Sequence, residues 1–291
     1  MTTGEYPATA AVRKPRDSEI DVHGLTHRGS VRTSNQDHFL ICSLEREVRV
    51  RLSSLPGDSS VTERGERLAF LAMVADGVGG SAKGEEASRQ ALERVTRYLT
   101  QSIQCYYTAD AADDAKFAAT LADAAMQVHS DIIQDSAHDP ERRGMATTLS
   151  LWLGVWPWIY LLQLGDSRCY LLRDGVLRQI SRDQTMAAEL VDLGVLKPAE
   201  APSSRWASML SSSIGGSQAA PQVTRYDHHW GDVHMLCSDG LTRHVPDDRI
   251  KQRLEEMRSS REGCEALLQD ALDAGGSDNI TIIVGRARPE S

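Results

Sequence analysis

Four short Asp-centred segments lie far apart in the chain and carry most of its chemical information. They read Ser34-Asn35-Gln36-Asp37, Ala75-Asp76-Gly77-Val78-Gly79-Gly80, Cys237-Ser238-Asp239-Gly240 and Gly276-Ser277-Asp278-Asn279. Asp76, Asp239 and Asp278 neighbour Gly, Ser or Asn rather than helix formers, and Asp76 and Asp239 stand at the ends of apolar runs. Carboxylates placed beside small residues suit hard divalent cations such as Mg²⁺ and Mn²⁺, which take oxygen ligands and retain several waters. Without a cation, the same side chains gathered together would repel one another. An isolated Asp-Gly is more often a turn, and Asp174-Gly175 is read as one, with no chemistry assigned.

The elements that must position these groups come in blocks. Ile20–Thr26 and His38–Leu44 read as strands. Residues 46–65, with Pro56-Gly57-Asp58, read as a loop or a long hairpin tip. Leu68–Ala75 is continuously apolar, as a strand buried on both faces would be. Apolar residues recur at helical spacing from Glu85 to Leu99 and from Asp113 to Gln134. Strand patterns resume over Thr147–Trp156, Trp158–Gln163, Arg168–Arg173 and Val176–Ile180. A short helix is expected over Thr185–Leu193, and a mobile stretch over Val195–Ser217. Strands at Gln222–His228 and Val233–Cys237, helices near Asp247–Met257 and Glu262–Asp273, and a last strand from Ile280 to Val284 complete the pattern. Blocks of strands and helices, rather than strict alternation, favour an α+β fold.

Composition narrows the function. The chain has 291 residues, a formal net charge of −9 and only 5% aromatic residues, so its core must be aliphatic and nucleic acid is an unsuitable main ligand. No run approaches the ~20 apolar residues of a membrane span, and residues 1–21 lack the apolar stretch of a secretory signal. The five Cys residues, at 42, 105, 169, 237 and 264, form no CxxC pair. Free thiols in a reducing cytoplasm are expected, and no zinc site.

Taken in order, six pieces give the chain a family likeness: Gly29-Ser30-Val31-Arg32 with Asn35-Gln36-Asp37; Asp76-Gly77-Val78-Gly79-Gly80 with Gly84-Glu85 and Ala87-Ser88; Thr147-Thr148; Gly165-Asp166-Ser167-Arg168; Cys237-Ser238-Asp239-Gly240-Leu241; and Ser277-Asp278-Asn279-Ile280-Thr281. The chain resembles a type 2C metal-dependent protein serine/threonine phosphatase of the compact bacterial kind, from about Gly24 to Val284. The resemblance implies a four-layer α-β-β-α sandwich, with two central antiparallel sheets flanked by helices. It implies a tail over 1–19, one catalytic domain over 20–287 and a short tail over 288–291. It implies two Mn²⁺ or Mg²⁺ ions at one end of the sandwich, with room for a third. Asp76 and the Gly77 carbonyl, Asp239, Asp278 and Asp37 would hold the ions, and Asp166 with Asp239 matches the third. Arg32 matches the phosphate-binding arginine. Asp76 and Asp239 then count among the catalytic residues, since the attacking water depends on the ions they place. Phosphorylated proteins, targets of a serine/threonine kinase, would be the substrates of a cytoplasmic monomer.

Three departures bear on the chemistry. Ser81 stands where bacterial relatives often carry His, so the acid that protonates the leaving oxygen is not obvious. Ala146 replaces a Gly before Thr147-Thr148, and Gln184 replaces a His after Arg182-Asp183. Two rival readings remain. One is a regulatory module that keeps the fold without turnover. The other is a cysteine phosphatase, because Cys237 and Arg243 stand at the C-x5-R spacing, although an Asp inside such a loop would repel phosphate.

Overall fold

The computed structural model describes residues 13–46, 66–79, 81–101, 114–139 and 142–288. The loop or hairpin tip expected over 46–65 falls almost entirely outside the described residues. Strands β1 (Ile20–His27), β11 (Ile280–Ala287), β10 (Val233–Cys237), β7 (Arg168–Arg173) and β8 (Val176–Gln179) form one antiparallel sheet, in that order. The second sheet runs β2 (Asp37–Arg46), β3 (Glu66–Val78), β5 (Leu149–Val155), β6 (Trp158–Leu164) and β9 (Gln222–Asp227), with the two-residue β4 (Ala146–Thr147) paired to the end of β3. Helices α1 (Ser81–Gln101) and α2 (Asp114–His138) cover the second sheet, and α5 (Asp247–Glu256) and α6 (Ser260–Asp273) cover the first. The expected α+β, four-layer sandwich is what the chain forms.

Side-chain alternation builds three apolar layers from these strands. On β3, Leu71, Met73 and Ala75 face α1 and α2, whereas Ala72 and Val74 face the other sheet. On β11, Ile280, Ile282 and Val284 face the α5–α6 side and Ile283 faces inward. On β10, Met235 and Cys237 join the helix side and Leu236 the inner layer. A strand buried on both faces has no polar side to show, which is why Leu68–Ala75 reads as unbroken apolar sequence. Burying each of these Leu, Ile or Met side chains contributes about 1.5–3 kcal/mol relative to exposure.

Turn chemistry agrees with the sequence where it was specific. Asp174 and Gly175 both adopt positive φ, 51° and 71°, and join β7 to β8 as a tight hairpin. The helix expected over Thr185–Leu193 is α3 (Met186–Asp192), with the Thr185 side chain accepting from the Ala188 N–H as its N-cap. Residues 13–19, expected as part of a tail, are held to the sheets: the Arg288 N–H donates to the Glu19 carbonyl at 2.8 Å, and Arg67 donates to the Pro15 carbonyl and to Asp17. Glu19 is 3% exposed, receives the Arg13 guanidinium, and accepts from the Arg16 N–H at 2.7 Å.

Candidate metal centre

The same alternation that fills the inner layer carries carboxylates into one end of it. Asp76 has the parity of Ala72 and Val74, and Asp37 has the parity of Phe39 and Ile41, so both project between the sheets. They are directly opposite one another in the β2–β3 ladder. From the facing sheet, Ser238 follows the parity of Leu236 and Thr281 that of Ile283. Their hydroxyls donate to Asp37 Oδ2 at 2.7 and 2.8 Å. The sheets are therefore stitched together at this end by one carboxylate.

The two expected strand-end aspartates are placed differently from the sequence reading. Asp76 lies inside β3, which continues to Val78 because Gly77 and Val78 pair with Thr147 and Ala146 of β4. The Asp76 N–H donates to Thr148 Oγ1 at 3.0 Å, and Thr147 Oγ1 donates to the Asp76 carbonyl at 2.9 Å. Asp239 opens a one-turn helix, α4 (Asp239–Thr242), that the sequence reading left out. Glycine is required beside both. A Cβ on Gly77 would lie 2.2 Å from the Gly84 carbonyl oxygen, and one on Gly240 would lie 1.9 Å from the Asn279 carbonyl oxygen.

Asp166 sits in the β6–β7 connection and Asp278 just before β11. Asn279 locks the latter loop: its Oδ1 accepts from the Gln36 N–H at 2.8 Å, and its Nδ2 donates to the Arg28 and Ser34 carbonyls at 2.9 Å. Gly29, at φ 78°, lets the Arg28–Arg32 turn close onto this loop, where the Ser30 N–H donates to the Gly276 carbonyl at 2.7 Å. Arg32 is thereby held at the mouth, its Nη2 donating to Asp278 Oδ2 at 2.8 Å. Arg243 also donates to Asp278 Oδ2, at 3.1 Å, and pairs with Asp239.

Arg32, Asp76, Gly77, Asp166, Asp239 and Asp278 thus line one cleft, with Asp37 beneath it. The Val195–Ser217 stretch supplies a wall through Arg205, Ser208, Met209 and Leu210. Among the described residues, no histidine lines this cleft. His38 has the opposite parity to Asp37 and contacts Ser88 of α1 at 2.9 Å, and the His27 Nδ1 accepts from the Gly29 N–H. Arg243 was weighed in the sequence only as a partner for Cys237. The usable signal was its place four residues after Asp239, one helical turn on.

The electrostatics fit a cation. Burial, held back by the Ser238 and Thr281 hydrogen bonds and reinforced by the Asp239 and Asp278 charges, pushes Asp37 up to about 7. Burial and the Asp239 charge likewise push Asp166 up to about 7. Asp76 is raised well above the ordinary carboxylate range by burial and by Asp37, Asp239 and Asp166. Burial also raises Asp239, against the opposing Arg243 charge. Asp37 Oδ1 and Asp239 Oδ1 are buried and accept no hydrogen bond. Orphaned carboxylate oxygens among mutually repelling acids are a donor set that Mn²⁺ or Mg²⁺ satisfies, and the residues fit a cluster of such ions.

A pH dependence follows. Between the ordinary value of 3.8 and about 7, the folded metal-free chain keeps protons on Asp37 and Asp166 that the unfolded chain has released. These groups therefore weaken the metal-free fold progressively as pH rises through that window. Compared with its Asp37→Asn variant, the metal-free chain is expected to lose melting temperature from pH 5 to pH 7.5. A difference that stays constant or reverses across that range contradicts the assignment.

Comparison with known proteins agrees with the geometry. The protein phosphatase 2C family profile matches residues 53–274. The chain belongs to the protein phosphatase 2C family. It is 36% identical over 219 residues to the serine/threonine protein phosphatase PstP of Mycobacterium tuberculosis, a match covering 74% of this chain and 40% of that protein. The chain thus spans well under half the length of that relative. The crystal structure of the M. tuberculosis phosphatase PstP/Ppp superposes with a TM-score of 0.73 at 30% identity, covering 93% of this chain and 99% of that one. A structure of the PstP catalytic domain in complex with two manganese ions superposes at 0.69 and 29% identity, covering 93% and 99%.

Proposed function

We propose that this phosphatase 2C-family chain hydrolyses phosphoserine and phosphothreonine in proteins, using two or three Mn²⁺ or Mg²⁺ ions. The observation that carries the reading is the convergence of Asp37, Asp76, Asp166, Asp239 and Asp278, from five separate segments, beside Arg32 and Arg243 in an open cleft. The serine/threonine specificity and the manganese requirement rest on the named relatives. Residues 20–287 act as one catalytic domain in this reading.

Asp37, Asp76, the Gly77 carbonyl, Asp239 and Asp278 are assigned to two ions, and Asp166 with Asp239 to a third. Bound there, the cations supply an acidified water for in-line attack and neutralise charge on the phosphoryl oxygens. Arg32 is assigned to phosphate. Its planar fork sits half exposed at the mouth and, among the described residues, donates to Asp278, so it can exchange that carboxylate oxygen for phosphate oxygens. Arg243 keeps Asp239 and Asp278 oriented. Thr148 and Thr147 fix the backbone around Asp76, and Ser238 and Thr281 fix one oxygen of Asp37. With no histidine lining the cleft among the described residues, water is assigned as the proton source for the leaving oxygen. The Arg205–Met209 wall is placed to contact the polypeptide around a phosphoresidue. Among the described residues no helix is long and apolar enough to cross a membrane. We take the substrates to be targets of a serine/threonine kinase, met by a monomer in the cytoplasm.

The cysteine-phosphatase alternative is disfavoured by parity and burial. Cys237 packs in the helix-side layer with Met235 and Leu241, away from the cleft, and burial drives its thiol far above the usual range. Hydrolysis of a phosphothreonine peptide and of p-nitrophenyl phosphate is expected to require Mn²⁺ or Mg²⁺ and to stop with chelator. Cys237→Ala is expected to keep kcat/KM within about threefold, since it removes no group that meets the transition state. Chelator-resistant activity that Cys237→Ala abolishes overturns the reading. No turnover at any metal concentration favours the regulatory module instead.

A further inference from the structure

The inner layer has a second polar end, and there the chain gathers a different set of ligands. The β9–β10 connection and the start of β10 carry His228, Asp232 and His234, whose ring nitrogens and carboxylate oxygen lie within 4.8 Å of one another. His234 has the parity of Leu236 and so points between the sheets, as Ser238 does at the catalytic end. About 13 Å of strand separates His234 from Ser238, so the two ends share no ligand.

Three observations single this cluster out. First, the Nε2 atoms of His228 and His234 are both buried and have no hydrogen-bond partner, and His234 is only 5% exposed. An orphaned ring nitrogen costs free energy that a ligand would recover. Second, both rings are positioned rather than loose. They pack edge to face with centroids 4.9 Å apart, and Trp152 lies 5.1 Å from His234 and 6.0 Å from His228. The far nitrogen of His234, Nδ1, meets the Tyr226 hydroxyl at 3.3 Å. That hydroxyl also accepts from Trp152 Nε1 at 3.1 Å. A proton on Nδ1, facing the Tyr226 hydroxyl, is the tautomer that would leave the Nε2 lone pair for a metal. Third, both rings line a small, largely apolar cavity of about 70 Å³ that opens to solvent, with Lys14, Arg67 and Arg286 also in its wall.

We propose that His228, Asp232 and His234 form a second, non-catalytic metal site for a borderline transition cation such as Zn²⁺. Two imidazole nitrogens and one carboxylate oxygen are a nitrogen-rich donor set that Zn²⁺ accepts and that Mg²⁺ does not favour. The catalytic cluster, all oxygen, has the reverse preference. Metal ligation needs neutral imidazoles, and burial holds both of these rings neutral. Asp232 is already engaged. Arg173 donates to its Oδ1 and Oδ2 at 2.8 and 2.7 Å, and the His229 N–H donates to Oδ2 at 2.7 Å. A carboxylate has about four acceptor sites, so Oδ1 retains one lone pair, and the Arg173 fork serves as the outer contact that fixes a ligating carboxylate. The spacing, His-x3-Asp-x-His on one turn, makes the cluster local, so it forms wherever this connection folds.

The test uses the full chain with Asp76→Asn and Asp239→Asn, which removes charge from the catalytic cluster and separates this proposal from the phosphatase reading. After incubation with Zn²⁺ and gel filtration, one Zn²⁺ per chain is expected to remain. Co²⁺ in its place is expected to give the intense visible absorption of a four-coordinate site rather than the weak bands of six-coordinate oxygen ligation. His228→Gln and His234→Gln, each added singly, are expected to weaken retention at least tenfold. In the otherwise unaltered chain, each is expected to leave Mn²⁺-dependent hydrolysis of p-nitrophenyl phosphate in place, which also reports folding. No retained Zn²⁺, a six-coordinate Co²⁺ spectrum, or retention indifferent to both histidines overturns the proposal. Should the histidine variants fail to fold, anomalous diffraction at the zinc edge on the unsubstituted chain decides. A peak between His228 and His234 supports the site, and none there overturns it.

Discussion

Asp239→Asn is expected to lower kcat by at least ~10²-fold with a phosphothreonine peptide, because in the proposed mechanism the reaction depends on placement of ions that this carboxylate would grip. The substitution keeps the shape of the side chain and removes its charge. In the metal-free chain Asp239 has one orphaned oxygen and one paired with Arg243, and it raises the pKa of Asp37, Asp76 and Asp166. Removing that charge relieves repulsion, so the metal-free melting temperature is expected to hold or rise while activity collapses. That opposition separates a role in gripping ions from a role in packing. A loss of activity under threefold contradicts the assignment, as does a loss matched by unfolding.

Manganese is expected to stabilise the fold strongly. A ligand that binds only the native state at 100 times its dissociation constant contributes about 2.7 kcal/mol, roughly 5 °C in melting temperature for a chain of this size. Under the proposed assignment the gain has an identifiable source, because the cation would replace protons on Asp37 and Asp166 and satisfy Asp37 Oδ1 and Asp239 Oδ1. The stabilisation is expected to shrink below pH 6, where protons compete for the same oxygens. A melting temperature that ignores Mn²⁺ at pH 7.5 argues against the centre.

Much of this was legible in the sequence because period-two burial leaves a plain mark. The run from Leu68 to Ala75 announced a strand covered on both sides, and Asp174-Gly175 announced its hairpin. The acidic segments were legible because Asp beside Gly, Ser or Asn is poor in both helix and strand interiors. What stayed hidden depended on tertiary pairing. Asp76 looked like a strand terminus because Gly usually ends strands, and only the partner β4 carries β3 on to Val78. The turn of helix at Asp239 is too short to show a period. Arg243 looked like part of a cysteine motif because its carboxylate partner Asp278 lies 35 residues away. His228, Asp232 and His234 carry no cysteine-type spacing to mark them in the sequence, and the inward direction of His234 follows only from Leu236 lying between the sheets.

The central claim is that separated acids meet to hold a cation cluster, and anomalous diffraction at the manganese edge from crystals grown with Mn²⁺ tests it most directly. Two strong peaks are expected within coordination distance of Asp37, Asp76, Asp239 and Asp278, with any third beside Asp166. A map with no peak among these oxygens, from protein that still hydrolyses phosphothreonine peptide, contradicts it.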